Sequence, residues 1–350
     1  TLNSTGPNTI FSWTVASVPA AGYSWTGGKD PVPGSITDAD GNGTELLTRQ
    51  LQHNYNAAVT VTYTITPTGP GPTACAGTAV TRTVVVDPVP AISNMTTSTC
   101  SGAAFSVTPV NGTNGVVPAG TTYSWGAPVV TGGMTGGAAG SGASITGTLN
   151  NPTNLAQTAT YTVTPTSGSC TGATFTVTVT VNPRPAINNL TTSTCSASAF
   201  TVTPVNGADG IVPAGTTYTW AAPVVTGGMT GGAAGTNQPN ISGNLTNPTN
   251  TPQTATYTVT PTSGSCTGST FTVTVTVNPR PAVTNMTTNV CSGSGFSVTP
   301  ANGANGIVPA GTTYSWPAPV VTGGMTGGAA GANQANIFGT LNNPTNTNQT

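Results

Sequence analysis

Apolar and hydroxyl-bearing residues alternate along much of this chain. From Phe175 to Val181 an apolar residue stands at every second position, with threonine between, a period that places the two kinds of side chain on opposite faces of a strand. The same alternation covers Phe105–Val107 and Tyr161–Val163. No segment shows the period of a helix. The pattern predicts an all-β fold in which one face of each strand builds a core and the other, rich in threonine, faces water.

The pattern repeats along the chain with a period of about 95 residues. The segment VVTGGMTGGAAG begins at Val129, Val224 and Val320. Tryptophan recurs with the same period at Trp125, Trp220 and Trp316. Within the second repeat, shorter strands are predicted near Ile92, Tyr123–Trp125, Val129–Val130 and Ile145–Leu149. A period this long exceeds that of solenoid repeats and fits one immunoglobulin-like sandwich of about seven strands.

The repeats predict four tandem β-sandwich modules. They cover residues 1–88 (divergent and N-terminally incomplete), 89–183, 184–279, and 280–350 (C-terminally incomplete). We therefore expect the sequence to be a window on a longer protein. The junctions carry alternating prolines, NPRPA at Asn182 and Asn278 and DPVPA at Asp87, and such connectors are stiff. The predicted arrangement is an extended rod, with each module about 35–40 Å long.

Charge is nearly absent from this chain. Only 3% of residues are charged and the net charge is −1, so electrostatic attraction to nucleic acid or to an anionic membrane surface is disfavoured. No apolar run approaches the roughly 18 residues that cross a bilayer. We interpret the abundant proline and glycine as turn residues and not as a sign of disorder, because β-branched residues are dense and patterned.

The six cysteines indicate an oxidising compartment. Two connectivities remain open for Cys100, Cys170, Cys195 and Cys266. One pairs Cys100 with Cys170 and Cys195 with Cys266, inside modules two and three. The other pairs Cys100 with Cys266, between modules. Strand direction argues against the first. Cys100 is predicted in the turn before the second strand and Cys170 in the turn between the last two strands. These turns lie at opposite ends of a seven-strand sandwich, whereas a disulfide needs Cα atoms within about 7 Å.

Catalytic chemistry has few candidates here. His53 is the single histidine, and modules two and three contain almost no acids that could serve as a base. The glycine-rich repeat lacks the GK[ST] ending of a phosphate loop. We therefore expect a non-enzymatic segment that needs no cofactor.

One segment of the first module has the residues of a calcium loop. In DADGNGTE, oxygen ligands stand at Asp38, Asp40 and Asn42, and Glu45 could close the site. The position where an EF-hand has its last ligand is Arg49, so an EF-hand is not predicted. The alternative is a plain turn rich in Asp and Asn.

The module pattern resembles a known family. The segments TSTCSGAAFSVTP, TTYSW and TYTVTPTSGSCTGATFTVTVTVNP resemble the PKD-like and immunoglobulin-like repeats of very large Bacteroidota surface proteins. The resemblance implies export by the type IX system and a role as adhesin, gliding-motility filament or spacer in a secreted enzyme. The first module departs from the pattern through an insertion that contains Tyr23 and Trp25.

Taken together, these features predict the stalk or filament of a large, repetitive extracellular adhesin at the cell surface. The expected partners are neighbouring modules and other copies of the chain, because uncharged edge strands are poorly protected. Two alternatives stand beside it. One is a glycan- or surface-binding module centred on the first domain, with Tyr23 and Trp25 as its candidate ligand-binding residues, and the other is a set of spacer repeats in a large secreted enzyme.

Overall fold

The computed structural model describes residues 9–17, 34–38 and 51–350, and within these ranges it contains strands and no helix. This confirms the all-β fold. The chain divides into two compact units between Pro183 and Arg184, at one of the predicted proline junctions. Modules one and two belong to the first unit, and modules three and four belong to the second.

The described part of module one is one antiparallel sheet with the order β2-β1-β3-β4. Its strands are β1 Thr9–Ser17, β2 Gly34–Asp38, β3 Val59–Thr68 and β4 Val80–Val86. Side chains of β1 and β3 form its core, with Val61 fully buried and Trp13 nearly so.

Module two pairs a large sheet with a smaller one. Its strands are β5 Ala91–Ile92, β6 Met95–Cys100, β7 Ala104–Val107, β8 Gly115–Val116, β9 Thr122–Trp125, β10 Val129–Val130, β11 Thr135–Gly136, β12 Gly140–Gly142, β13 Ile145–Asn150, β14 Gln157–Ser167, β15 Cys170–Thr171 and β16 Phe175–Asn182. The large sheet has the order β12-β9-β14-β16-β6, the small one β11-β13-β7, and β5 pairs with β8. The short strands expected from sequence are therefore confirmed.

Module three repeats this arrangement, with sheet orders β18-β28-β26-β21-β24 and β19-β25-β23. Its strands are β17 Ala186–Ile187, β18 Leu190–Cys195, β19 Ala199–Val202, β20 Gly210–Ile211, β21 Thr217–Trp220, β22 Val224–Val225, β23 Thr230–Gly231, β24 Gly235–Gln238, β25 Ile241–Thr246, β26 Gln253–Ser263, β27 Cys266–Thr267 and β28 Phe271–Asn278. The two modules thus share one fold.

Module four has the small sheet, β30-β35-β33, and the pairs β29-β31 and β32-β34. Its strands are β29 Ala282–Val283, β30 Gly295–Val298, β31 Gly306–Ile307, β32 Tyr314–Trp316, β33 Thr326–Gly327, β34 Gly331–Gln334 and β35 Ile337–Asn342.

Alternation explains the cores of modules two and three. On β16, Phe175, Val177, Val179 and Val181 are at most 2% exposed, while the threonines between them face outward. The register between β14 and β16 places Tyr161 opposite Val177 and Thr160 opposite Thr178. Apolar residues therefore face apolar residues across the ladder, and threonine faces threonine, so a slip by one residue would turn the core outward.

The glycine-rich repeat forms a turn that packs against the core. Met134 within it is 5% exposed and belongs to the core. At Gly140, a Cβ atom would lie 2.7 Å from Cζ2 of Trp125, so only glycine lets β12 approach the indole ring.

Candidate functional site

The first and last long strands of each complete module pair with each other in parallel. In module two, β6 runs beside β16 from Met95 opposite Val177 to Cys100 opposite Asn182. In module three, β18 runs beside β28 with the same six-residue register. The chain therefore enters a module at one end of the large sheet and leaves it at the other.

Side-chain and backbone hydrogen bonds extend this parallel pair at both ends. At the entry end, the Thr176 amide donates to Oδ1 of Asn94 over 2.8 Å. At the exit end, the Ser101 amide donates to the Asn182 carbonyl over 2.9 Å. Module three has the same pair of bonds, Thr272 to Asn189 at 2.8 Å and Ser196 to Asn278 at 2.9 Å. The terminal strands are thus joined over their whole length.

A buried asparagine fixes the last strand from the other side. Nδ2 of Asn247 donates to the carbonyl of Val277 over 2.9 Å and to that of Thr251 over 2.8 Å. Its Oδ1 accepts from the Thr249 amide at 2.9 Å. Asn151 makes the equivalent bonds in module two. A buried amide needs such partners, because leaving them unmade costs about 1–3 kcal/mol.

The cysteines stand in two states. Cys100 and Cys266 are disulfide-bonded, whereas Cys75, Cys170, Cys195 and Cys291 are free thiols. Neither intra-module pair is therefore formed. Topology gives the reason: Cys100 lies beside Asn182, while Cys170 lies in the hairpin beside Ser167, beyond the other end of the β14–β16 ladder. Eight residues of β16 separate the two ends, about 26 Å at strand geometry, well beyond disulfide reach.

His53 has a structural role in module one. Its ring is 5% exposed. Nε2 lies 2.9 Å from the Val86 carbonyl and Nδ1 accepts the Tyr55 amide at 3.2 Å. A carbonyl accepts and an amide donates, so the hydrogen bonds assign the proton of the neutral ring to Nε2. Both ring nitrogens are thus engaged with the backbone.

The calcium and ligand-binding candidates fall mostly outside the described residues. Asp38 ends β2, opposite Thr9, while Asp40, Asn42 and Glu45 lie outside the described ranges, as do Tyr23 and Trp25. Among the residues that the structure does describe, no group of three or more His, Cys, Asp or Glu side chains could hold a metal ion. The calcium loop and the aromatic site remain predictions.

Two tyrosines bury their hydroxyls without an identified partner. Tyr161 and Tyr257 are fully buried, and no described protein group hydrogen-bonds to either hydroxyl. Each ring packs on a core phenylalanine, with Tyr257 5.5 Å from Phe200. Burial raises the pKa of both phenols, since the charged form loses its solvation.

Sequence reasoning missed the parallel strand pair and the asparagines that support it. Cys100 was expected in a turn, but it ends β6. A signal was present: asparagine precedes the MTTSTC and LTTSTC segments at Asn94 and Asn189, and NPTN recurs from Asn151 and Asn247. This signal is hard to interpret from sequence alone, because a side chain that bonds a strand 82 residues away leaves no periodic pattern.

The described ranges also contain no helix that is both long and apolar enough to cross a membrane. Tandem sandwiches with this topology define the class of the protein as an array of immunoglobulin-like modules. A model of the PKD-like domain matches residues 97–185 and 192–281, together just over half of the chain. The chain therefore belongs to the PKD-like domain family.

The comparison with curated proteins found no significant match. Among solved structures, the chain is similar to an endo-fucoidan hydrolase of glycoside hydrolase family 107, MfFcnA4, at 10% identity over 77% of this chain and 39% of that chain, with a TM-score of 0.21. It is also similar to protocadherin gamma B2 cadherin domains 3–6, at 11% identity over 76% and 67%, with a TM-score of 0.22. A third is the Bacteroides ovatus SGBP-B in complex with a mixed-linkage heptasaccharide, at 12% identity over 78% and 60%, with a TM-score of 0.17. Scores this low carry no argument about function, and the chain spans less than half of the hydrolase.

Proposed function

We propose that this chain is a stalk or filament segment of a large, repetitive extracellular adhesin or surface fibre. The observation that carries the proposal is the parallel pairing of β18 with β28, and of β6 with β16. Entry and exit lie at opposite ends of the large sheet within each of these modules, and this supports the proposal that each module lengthens the stalk. Near-identical modules that each add length are what a stalk requires.

The finer features of the proposal come from the sequence. We propose a location at the bacterial cell surface, export by the type IX system and a role in adhesion or gliding motility, all supported by the resemblance of the repeats. The segment is proposed to be non-enzymatic, because acids and bases are scarce, and to need no cofactor, with calcium in the first module as the one candidate. Spacer repeats in a secreted enzyme and a glycan-binding first module stay as alternatives that no observation on the described residues favours.

The maximum dimension of the particle in solution tests the stalk. A variant without residues 184–279 keeps the proline junction and removes one complete module. Small-angle X-ray scattering of both chains under reducing conditions should give a maximum dimension about 35 Å shorter for the variant. A maximum dimension that does not change would contradict the stalk, since the modules would then pack side by side.

Stiffness is tested separately through the junction. Replacing Pro183 and Pro185 by glycine frees the connector, because glycine lacks the restriction that proline imposes. The scattering profile should then broaden toward a flexible chain while each module stays folded. A matched control replaces Pro213 and Pro252, which lie within module three, by glycine. An identical profile for junction and control variants would show that the junctions do not set the shape.

The disulfides are tested by peptide mapping without reduction. The inter-module prediction expects Cys100 and Cys266 in one linked peptide, and Cys170 and Cys195 open to alkylation. Closing such a long loop stabilises the fold by about 5 kcal/mol in the chain-entropy model, so reduction should lower the denaturant midpoint. Linked peptides that pair Cys100 with Cys170 would overturn the prediction.

A further inference from the structure

The outer edge of β18 is unprotected. Its six residues, LTTSTC, pair with β28 along one edge in an uninterrupted register. Within the described part of the chain, no strand pairs with the other edge, where β18 ends the sheet. The strand contains no charged residue, proline or glycine. Natural edges are normally blunted by such residues, because an open row of amides and carbonyls is a template for another strand.

The opposite edge of the same sheet is blunted. There β24 pairs with β21 through a register shift between Tyr218 and Trp220. Asn237 in β24 has a φ of 51°, a left-handed conformation that a regular ladder does not accept. One sheet therefore has an irregular edge at β24 and a regular edge at β18. Module two has the same regular edge at β6, with the sequence MTTSTC.

The alternation on β18 makes its edge self-complementary. Thr191 and Ser193 are exposed on the outer face, and Leu190, Thr192 and Thr194 are half-buried on the inner face. Antiparallel strands place residues of the same face opposite each other. If a two-fold axis relates two copies of the chain, their β18 strands pair antiparallel. Either Thr192 then lies opposite Thr192, or Ser193 lies opposite Ser193. Both registers form cross-strand pairs of Thr and Ser, which stabilise a sheet.

We propose that the β18 edge is a self-association site, and that its occupant is the β18 edge of a second copy of this chain, antiparallel across a two-fold axis. Two large sheets then become one continuous sheet. The near absence of charge favours this partner, because a chain with net charge −1 offers little repulsion to its own copy. This association goes beyond the proposed stalk and does not depend on it.

Cysteine cross-linking tests the site and its register. The background is the full chain with Cys75, Cys170, Cys195 and Cys291 replaced by serine, which keeps Cys100 and Cys266. Thr192→Cys and Ser193→Cys are introduced separately, and Thr236→Cys, exposed on β24, is the matched control on the other edge. Oxidised glutathione accepts the electrons and protons of the two thiols. We expect a covalent dimer with Thr192→Cys or Ser193→Cys, depending on the register, and little with Thr236→Cys. Equal cross-linking at both edges, or none at β18, overturns the proposal.

A second variant tests association without cross-linking. Thr191→Lys with Ser193→Lys places like charges opposite each other in either register, on side chains that face solvent. Sedimentation equilibrium should show a dimer for the parent chain and a Kd raised about tenfold or more for the variant. Hydrogen exchange of module three should be unchanged within the monomer. A parent chain that stays monomeric at all concentrations, or a variant that associates equally well, overturns the proposal. If the chain dimerises only when a foreign β-strand peptide is added, the proposal is also overturned.

Discussion

Modules three and four have nearly the same sequence up to Thr350, yet they bury it differently. Trp220 and Phe200 are 5% exposed in module three. Their counterparts in module four, Trp316 and Phe296, are half-buried and border an open groove of about 350 Å³. Module three also contains the β26–β28 hairpin, whereas the sequence given for module four stops at Thr350, at the start of the segment equivalent to β26. In module three, side chains of the hairpin cover this part of the core.

The entry strand makes the same point. Leu190–Cys195 forms β18 beside β28, whereas the equivalent residues of module four, Met286–Cys291, form no strand. The segments LTTSTC and MTTNVC have similar composition and β propensity. The entry strand therefore depends on its tertiary partner, as expected when strand propensity is mainly a fit to neighbouring side chains.

The largest effect is expected from a charged side chain placed in the core beneath the hairpin. Val275 is fully buried at the centre of β28, so Val275→Asp places an unpaired carboxylate in the core and should cost more than about 4 kcal/mol. Module three should then expose Trp220 as module four exposes Trp316, measured by acrylamide quenching. The control, Thr274→Asp on the outer face of the same strand, should leave quenching unchanged. Equal effects of both variants would refute this role of the hairpin.

A smaller effect is expected from equivalent leucines. Leu245 is fully buried and Leu341 is only half-buried. Leu245→Ala should lower the free energy of unfolding of module three by about 2–5 kcal/mol, through lost transfer energy and the cavity left behind. Leu341→Ala should cost about half as much or less, because less apolar surface is lost. Hydrogen exchange resolved by peptide measures both, and equal losses would show that the hairpin adds nothing to this part of the core.

The equivalent asparagines sharpen the comparison further. Asn247 donates to the Val277 carbonyl as well as to that of Thr251, whereas the bond that Asn343 donates within the described residues goes to the Thr347 carbonyl. Asn247→Ala should therefore cost about 1–3 kcal/mol more than Asn343→Ala, because it leaves a buried carbonyl without its donor. Denaturant titration followed by hydrogen exchange gives the difference. Equal costs would show that the hydrogen bond to the Val277 carbonyl adds no stability.

The smallest effect is expected at Tyr257. Its hydroxyl is buried without an identified partner, so Tyr257→Phe should leave stability unchanged or raise it by up to about 1 kcal/mol at neutral pH. Burial raises the pKa of this phenol in the folded state. Stability is then constant below about pH 10, the unfolded value, and falls as pH rises above it, because the unfolded chain ionises first. The variant should lose part of this alkaline sensitivity in pH-dependent thermal melts. Tyr161→Phe should behave alike, and marked destabilisation by either variant would show a partner for the hydroxyl.

Local alternation was enough to predict the long strands, the faces that they bury and the module period. From Phe175 to Val181 the side-chain period alone separates core from solvent. The partners of those strands could not be predicted from the sequence. The parallel neighbour of β16 is β6, about 80 residues earlier, and nothing in MTTSTC distinguishes a paired strand from a turn. Strand direction did predict that Cys100 and Cys170 lie at opposite ends of the module, because that argument needs only the order of the strands.

The parallel pair also governs when a module can fold. Leu190 in β18 can pair with β28 only after Val273 is available. A chain emerging from a ribosome or an export channel therefore cannot complete this sheet until its last strand has emerged. Contacts this distant in sequence slow folding. The neighbouring module meanwhile offers an identical last strand, FTVTVTVN in both β16 and β28, which competes for the same entry strand. Exchange of strands between neighbouring repeats is the misfolding route to which this array is most exposed.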